Sequence, residues 1–306
     1  MGLKRGFTAL AGLLASVLIL ASCVTYEPLH KAPPYGNLAV NHVRFMNDNL
    51  YGRVAFSYRE LEAALWIVEE LLYMGQLAGS DIRDFSQNVI LTVPGQNDQV
   101  IVVGAHYDSF PYPGASDNAS GTALLLESAQ RILSLDNYHT IVYVFFGAEG
   151  AGLLGAHYFV DPLTDHQRED LLFMVNADVL FEGPYTVYAA GFGNRGLPGA
   201  NYITRQLDYI AYGVSQKLRA YDIDIDLIAY PNGIYRGSDQ LVFLGEGYTV
   251  VFLMGVYTNA DGAFVGRVLH SYRDCYHYIE EAWPGKIERN MRVFAVFLEE
   301  ILLARY

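Results

Sequence analysis

The chain has 306 residues, 52% of them hydrophobic, and carries 33 acidic against 20 basic side chains for a formal charge of −13. That acidity excludes nucleic acid as a partner, because a phosphate backbone needs a basic footprint to hold it. The length suits one large α/β domain behind a short leader.

Residues 1–22 read as that leader. Lys4 and Arg5 give a basic start, Phe7 to Ala21 an apolar run too short for a comfortable membrane span, and Leu20-Ala21-Ser22-Cys23 a small-residue processing site. The tetrapeptide resembles the bacterial lipobox, in which the Cys is acylated and becomes the new N-terminus. The expectation is a lipoprotein signal peptide, with a plain secretory signal or an uncleaved anchor as the alternatives. It places the protein in the bacterial cell envelope, held to the lipid bilayer through acylated Cys23 and facing the periplasm or the exterior. Removing residues 1–22 takes away two basic and no acidic side chains, so the charge becomes −15. Only Cys275 then remains beside Cys23; no intramolecular disulfide can form in the lipidated chain, and Cys275 reads as a buried structural thiol.

Residues 23–37, with Pro28, Pro33, Pro34 and Gly36, read as a tether, and 38–306 as a single domain. A helical pattern begins at Asn37, and a strongly periodic helix runs from Tyr58 to Gly75. Strands are expected at Asn88–Val93 and Gln99–Ala105, a helix at Ser120–Leu135, a strand at His139–Gly147 and a helix around Gly152–Val160. A strand at Asp170–Ala177, a helix at Asn201–Arg219, a strand at Tyr248–Met254 and helices at Asp274–Ala282 and Pro284–Ala304 complete the pattern. Apolar strands alternating with amphipathic helices predict an α/β fold: a mostly parallel, mixed central sheet flanked by helices on both faces. Ala220–Gly245, rich in Asp, Tyr and Gly, reads as irregular loops walling a cleft.

Polar groups cluster just past the apolar strands. His106 and Asp108 follow the strand ending at Ala105, and Asp117 stands at the start of the next helix. Glu149 follows the strand ending at Gly147, Asp178 the one ending at Ala177, and His270 and Asp274 come after Met254. In an open α/β sheet such strand ends converge on one crevice, where a His and several carboxylates can hold a metal.

GAHYDS, PGASDNASGTA, FFGAEGAGLLGA, NAD and HSYRD together resemble the co-catalytic zinc exopeptidases, the family that includes bacterial leucyl aminopeptidases, glutamate carboxypeptidase and glutaminyl cyclase. The resemblance spans nearly the whole chain after the leader, and Asp117-Asn118-Ala119-Ser120-Gly121 with Gly152-Leu153 fits the aminopeptidase branch best. It implies a zinc-exopeptidase-like fold with one or two zinc ions, and an aminopeptidase acting on short peptide substrates. His106 and Asp178 would hold one zinc, Asp117 would bridge, and His270 would hold the other. Glu149 would be the general base that takes a proton from metal-activated water, and Asp108 would orient His106, with Asp274 doing the same for His270.

The sequence departs from this pattern at one ligand. Where the family has two consecutive Glu residues, this chain has Glu149 and then Gly150, so the zinc on His270 lacks a carboxylate. Ser238-Asp239-Gln240 also replaces the usual Ser-Asp-His. Three outcomes follow: a working site with a substitute ligand (Glu182, Glu246 or water), a site with a single zinc at His106, Asp117 and Asp178, or a cleft that binds without hydrolysis. A single-zinc glutaminyl-cyclase-like enzyme is a further alternative.

Overall fold

A computed structural model describes residues 34–75, 79–83, 86–183, 185–190, 199–219, 229–231, 237–258 and 264–306. The expected leader, Cys23, most of the tether and the first part of the 220–245 loop lie outside the described residues. Two helices come first, α1 (Asn37–Asn49) and α2 (Tyr58–Tyr73). Ser57 caps α2 by accepting the Glu60 amide at 3.1 Å. Then come β1 (Gly79–Arg83), β2 (Ser86–Val93), β3 (Val100–His106), α3 (Ser120–Ile132), β4 (Thr140–Phe146), α4 (Leu154–Val160) and α5 (Asp165–Asp170). The chain continues through β5 (Leu171–Ala177), β6 (Tyr185–Ala190), α6 (Ala200–Arg219), β7 (Ala229–Pro231), α7 (Gln240–Gly245), β8 (Thr249–Gly255), α8 (Tyr276–Ala282) and α9 (Lys286–Leu303).

One mixed sheet has the order β1-β2-β4-β3-β5-β8-β6-β7. Its centre, β4-β3-β5-β8, is parallel, and β2 and β6 flank it antiparallel. The central strands are apolar on both faces because helices cover both. Alternation along each strand therefore feeds two cores. Ile101, Val103 and Ala105 of β3 enter the larger one, with side chains from α1, α2, α3, α6 and α9. Val102 enters the smaller, with Val144, Phe146, Met174 and Val250 under Ala156 and Val160 of α4 and Val242 and Phe243 of α7. Gly104 is needed where β3 faces that second core: a Cβ there would lie 2.4 Å from Phe146 Cε2 and 2.7 Å from Met174 Cε.

The expected α/β architecture is borne out, and the differences lie at its margins. β1 and β6 carry no strong apolar alternation, yet the edge strand β1 gains its ladder from β2, and β6 is held between β8 and β7. The supposedly irregular Ala220–Gly245 contains the short strand β7 and helix α7. Cys275, expected to be buried, is a half-buried free thiol at the N-cap of α8. Among the described residues, no helix is long and apolar enough to cross a membrane.

Candidate metal centre

The carboxyl ends of the parallel strands share one edge of the sheet, and the candidate ligands stand on that edge. β3 ends at His106, paired with Phe146 of β4, and β5 on its other side leads directly into Asp178. Asp117 sits in a tight turn, Ala115–Ala119, just ahead of α3, and its peptide bond to Asn118 is cis. Two features draw that turn onto β5. Gly121 leaves room for it, since a Cβ would lie 2.2 Å from the Ala177 carbonyl oxygen, and the Asn118 side-chain amide donates to that same carbonyl at 2.9 Å. Asp274 fixes the turn from the other side. Its buried carboxylate accepts the backbone N–H groups of Ser116 at 2.6 Å and Asp117 at 3.0 Å. The expectation that Asp274 orients His270 is corrected: its oxygens serve the Asp117 backbone.

His106, Asp117 and Asp178 are all buried, and each offers one ligand atom within 4.8 Å of the others. His106 Nε2 lies 3.3 Å from Asp117 Oδ1 and 3.4 Å from Asp178 Oδ1. Ligands about 2.0–2.1 Å from a tetrahedral zinc stand roughly 3.3–3.5 Å apart, so these spacings suit such an ion. Two further observations fit a cation. Asp178 Oδ1 is buried and accepts no hydrogen bond among the described residues. Although burial opposes it, the carboxylates of Glu149 and Asp178, with hydrogen bonds to Asp108 and Asp117, draw the His106 pKa well above the ordinary histidine value. The cluster demands positive charge, which a divalent ion supplies.

Asp108 works on two neighbours. His106 Nδ1 lies 3.1 Å from the Asp108 carbonyl oxygen and 3.3 Å from its Oδ1, which fixes the ring with Nε2 toward the other carboxylates. The same carboxylate accepts the N–H groups of Glu149 and Gly150, both at 3.0 Å. It thereby holds the short 3₁₀ turn Glu149–Ala151 that presents Glu149. Burial, joined by the carboxylates of Asp178, Asp108 and Asp117 and opposed by His106, pushes Glu149 up to about 7. Beside these groups lies a cavity of about 100 Å³, lined by the apolar residues Val54, Ala55, Phe110 and Pro111 together with His106, Asp108, Asp117, Glu149 and Gly150.

His270 reaches the cluster from outside. Its Nε2 lies 3.1 Å from Asp117 Oδ2, its side chain is 52% exposed, and its ring lies against Phe110, tilted by 35° with centroids 4.1 Å apart. The two carboxylates offered as substitute ligands have other partners. Glu182 is buried and accepts the backbone N–H groups of Arg267 and Val268, steadying the loop that carries His270. Glu246 is on the surface, paired with Arg168 at 2.9 Å.

Other residues at the site escaped the sequence reading. Arg53 is fully buried and donates to the carbonyls of Tyr107 at 2.6 Å, Pro113 at 2.9 Å, Leu50 at 3.0 Å and Gly114 at 3.3 Å, so it clamps the segment between His106 and Asp117. Its signal was the Gly52-Arg53 break between two helical patterns. The Asn176 side-chain amide donates to Ser238 Oγ at 2.9 Å and Gln240 Oε1 at 2.8 Å, which ties the Ser238-Asp239-Gln240 loop to β5 two residues before Asp178.

Residues 88–295 match peptidase family M28. An aminopeptidase of Pseudomonas aeruginosa strain UCBPP-PA14 is 27% identical over 197 residues, which cover 60% of this chain and 34% of that protein. The chain thus spans about a third of the length of that relative. Among solved structures, the zinc aminopeptidase BSAP of Bacillus subtilis superposes with a TM-score of 0.70 at 15% identity, covering 90% of this chain and 97% of the other. Glutaminyl cyclase of Bacteroides thetaiotaomicron does so with a TM-score of 0.68 at 15% identity, covering 90% and 100%. With the family matching about two thirds of its length and the strand-end residues meeting in one crevice, the chain belongs to peptidase family M28.

Proposed function

We propose that the protein is a membrane-tethered zinc metallopeptidase that hydrolyses N-terminal residues from short peptides. The observation that carries this reading is the convergence of His106, Asp117 and Asp178 within 4.8 Å, with Glu149 beside a cavity. The aminopeptidases among the relatives support the direction of cleavage, and Leu20–Cys23 supports the tether.

His106, Asp117 and Asp178 would hold the zinc, which when bound polarises the scissile carbonyl and acidifies water. Glu149 stands outside the three-ligand group and is free to move protons. It takes one from the attacking water and returns it to the departing amine. Asp108 keeps the Glu149 turn and the His106 ring in fixed relation, so base and ligand do not drift apart. Val54, Ala55, Phe110 and Pro111 give the cavity apolar surface against which a substrate can pack.

The test is release of the N-terminal residue from a broad panel of aminoacyl p-nitroanilides by the purified full chain. Release should stop with chelator and return with zinc. Glu149→Gln should lower kcat about 10²–10⁴-fold while leaving metal content unchanged. A metal-loaded protein that cleaves nothing in the panel would instead be the binding lipoprotein that Gly150 favours, and conversion of an N-terminal glutamine peptide would reveal a cyclase.

A further inference from the structure

The role of His270 turns on how many ions the centre holds, and donor atoms can be counted. Among the described residues one group offers three ligands, namely His106, Asp117 and Asp178. Their side chains are 5%, 10% and 8% exposed. A second ion, on the outer side of Asp117, would have Asp117 Oδ2 and His270 Nε2, 3.1 Å apart. Two protein ligands fall short of the three that catalytic zinc normally has.

Among the described residues, the neighbouring groups that could supply a third are turned to other partners. Gly150 has no side chain and gives its N–H to Asp108 at 3.0 Å. The Glu182 oxygens face backbone amides, and Glu246 faces Arg168. At 52% side-chain exposure, His270 also competes with water for any ion it would hold. An N–H donor at 3.1 Å from a carboxylate oxygen, by contrast, needs nothing further to be stable.

We propose that the centre holds one divalent metal ion, at His106, Asp117 and Asp178, and that His270 donates a hydrogen bond to the outer oxygen of Asp117 in place of a second ion. The proposal deepens the metallopeptidase reading by fixing what the site contains. It makes His270 a positioning residue: with Oδ2 held by an imidazole N–H and the backbone held by Asp274, Asp117 Oδ1 is aimed inward at the ion. Phe110, packed against the His270 ring, keeps that donor in place.

The experiment is titration of the metal-stripped full chain with cobalt(II), followed by visible absorbance, with elemental analysis of the zinc-loaded protein beside it. Saturation at one equivalent and one zinc per chain are expected. Two equivalents bound at micromolar metal would overturn the proposal, and so would none. His270→Ala should keep the single step but weaken it about 10–100-fold, as loss of a partner behind a ligand does. His270→Gln, which retains an N–H donor, should recover part of that loss. An unchanged affinity in His270→Ala overturns the positioning role, and Asp178→Asn retaining the full step overturns the placement. Two ions in an active aminopeptidase would sink this inference and leave the peptidase reading standing. One ion in an inactive protein would do the reverse.

Discussion

His42, on α1, gives the fold a pH dependence separate from the metal centre. It packs edge-on against Trp66 of α2 with ring centroids 5.6 Å apart, and its Nε2 is buried without a hydrogen-bond partner among the described residues. Burial lowers its pKa from 6.5 to about 4. Because the folded pKa lies below the unfolded one, the unfolded chain takes up the proton first. The stability from neutral His42 is complete above about pH 6.5 and is lost as pH falls toward 4, by on the order of 2–3 kcal/mol. Urea unfolding at pH 7 and 4.5 measures it: the drop should be about 2 kcal/mol smaller in His42→Phe, and an equal drop in both proteins would show that His42 is not the group responsible. At the centre itself, His106, Glu149 and Asp178 were legible because each is among the first polar groups after an apolar run, and Asp117 because it stands at the start of a helical pattern. The roles of Asp274, Glu182 and Arg53 were not, since what they bind is backbone: two amides of the Asp117 turn, two amides of the His270 loop, and four carbonyls. A peptide group has the same chemistry at every position, so only folding shows which side chain it meets.

At the scale of elements, the connection from β3 to α3 is the one on which the site depends. It must leave the sheet after His106, turn back, and bring Asp117 over the same edge. Arg53 fixes that path from the link between α1 and α2, serving four carbonyls at once from a fully buried position. Burial lowers its pKa to about 10, with Asp108, Asp274 and Asp117 working against that, so it remains a cation at neutral pH. Arg53→Leu would strand buried carbonyls and remove a charge from among these acids, at a cost on the order of 3–5 kcal/mol. Arg53→Lys should recover less than half of it, because an ammonium cannot span the acceptors that a planar guanidinium reaches. Urea unfolding reads both, and an Arg53→Leu protein within about 1 kcal/mol of the parent would rule out the clamp. The central strands could be read from sequence, since burial on two faces demands continuous apolar runs. The polar edge strand β1 could not, because it rests on β2 rather than on its own pattern.

For the whole molecule, an ion at the proposed centre would also be a structural tie. The residues that would hold it come from the end of β3, the turn ahead of α3 and the residue after β5, so an ion bound there would join the middle of the sheet to the helix layer above it. Stripped of metal, the centre leaves buried Asp117 and Asp178 facing the acids Asp108 and Glu149, in a chain whose overall charge of −13 already opposes compaction. An ion that binds only the folded state stabilises it by about 4 kcal/mol at free metal a thousandfold above Kd. For a domain of this size each kcal/mol moves Tm by about 2–4 °C, so chelation should lower Tm by roughly 8–16 °C. Scanning calorimetry with and without chelator checks this, and Asp178→Asn supplies the control: having lost the centre, it should melt at one temperature under both conditions. Equal melting of the parent protein in both buffers would mean that the ion, wherever it binds, does not hold the sheet and its helices together.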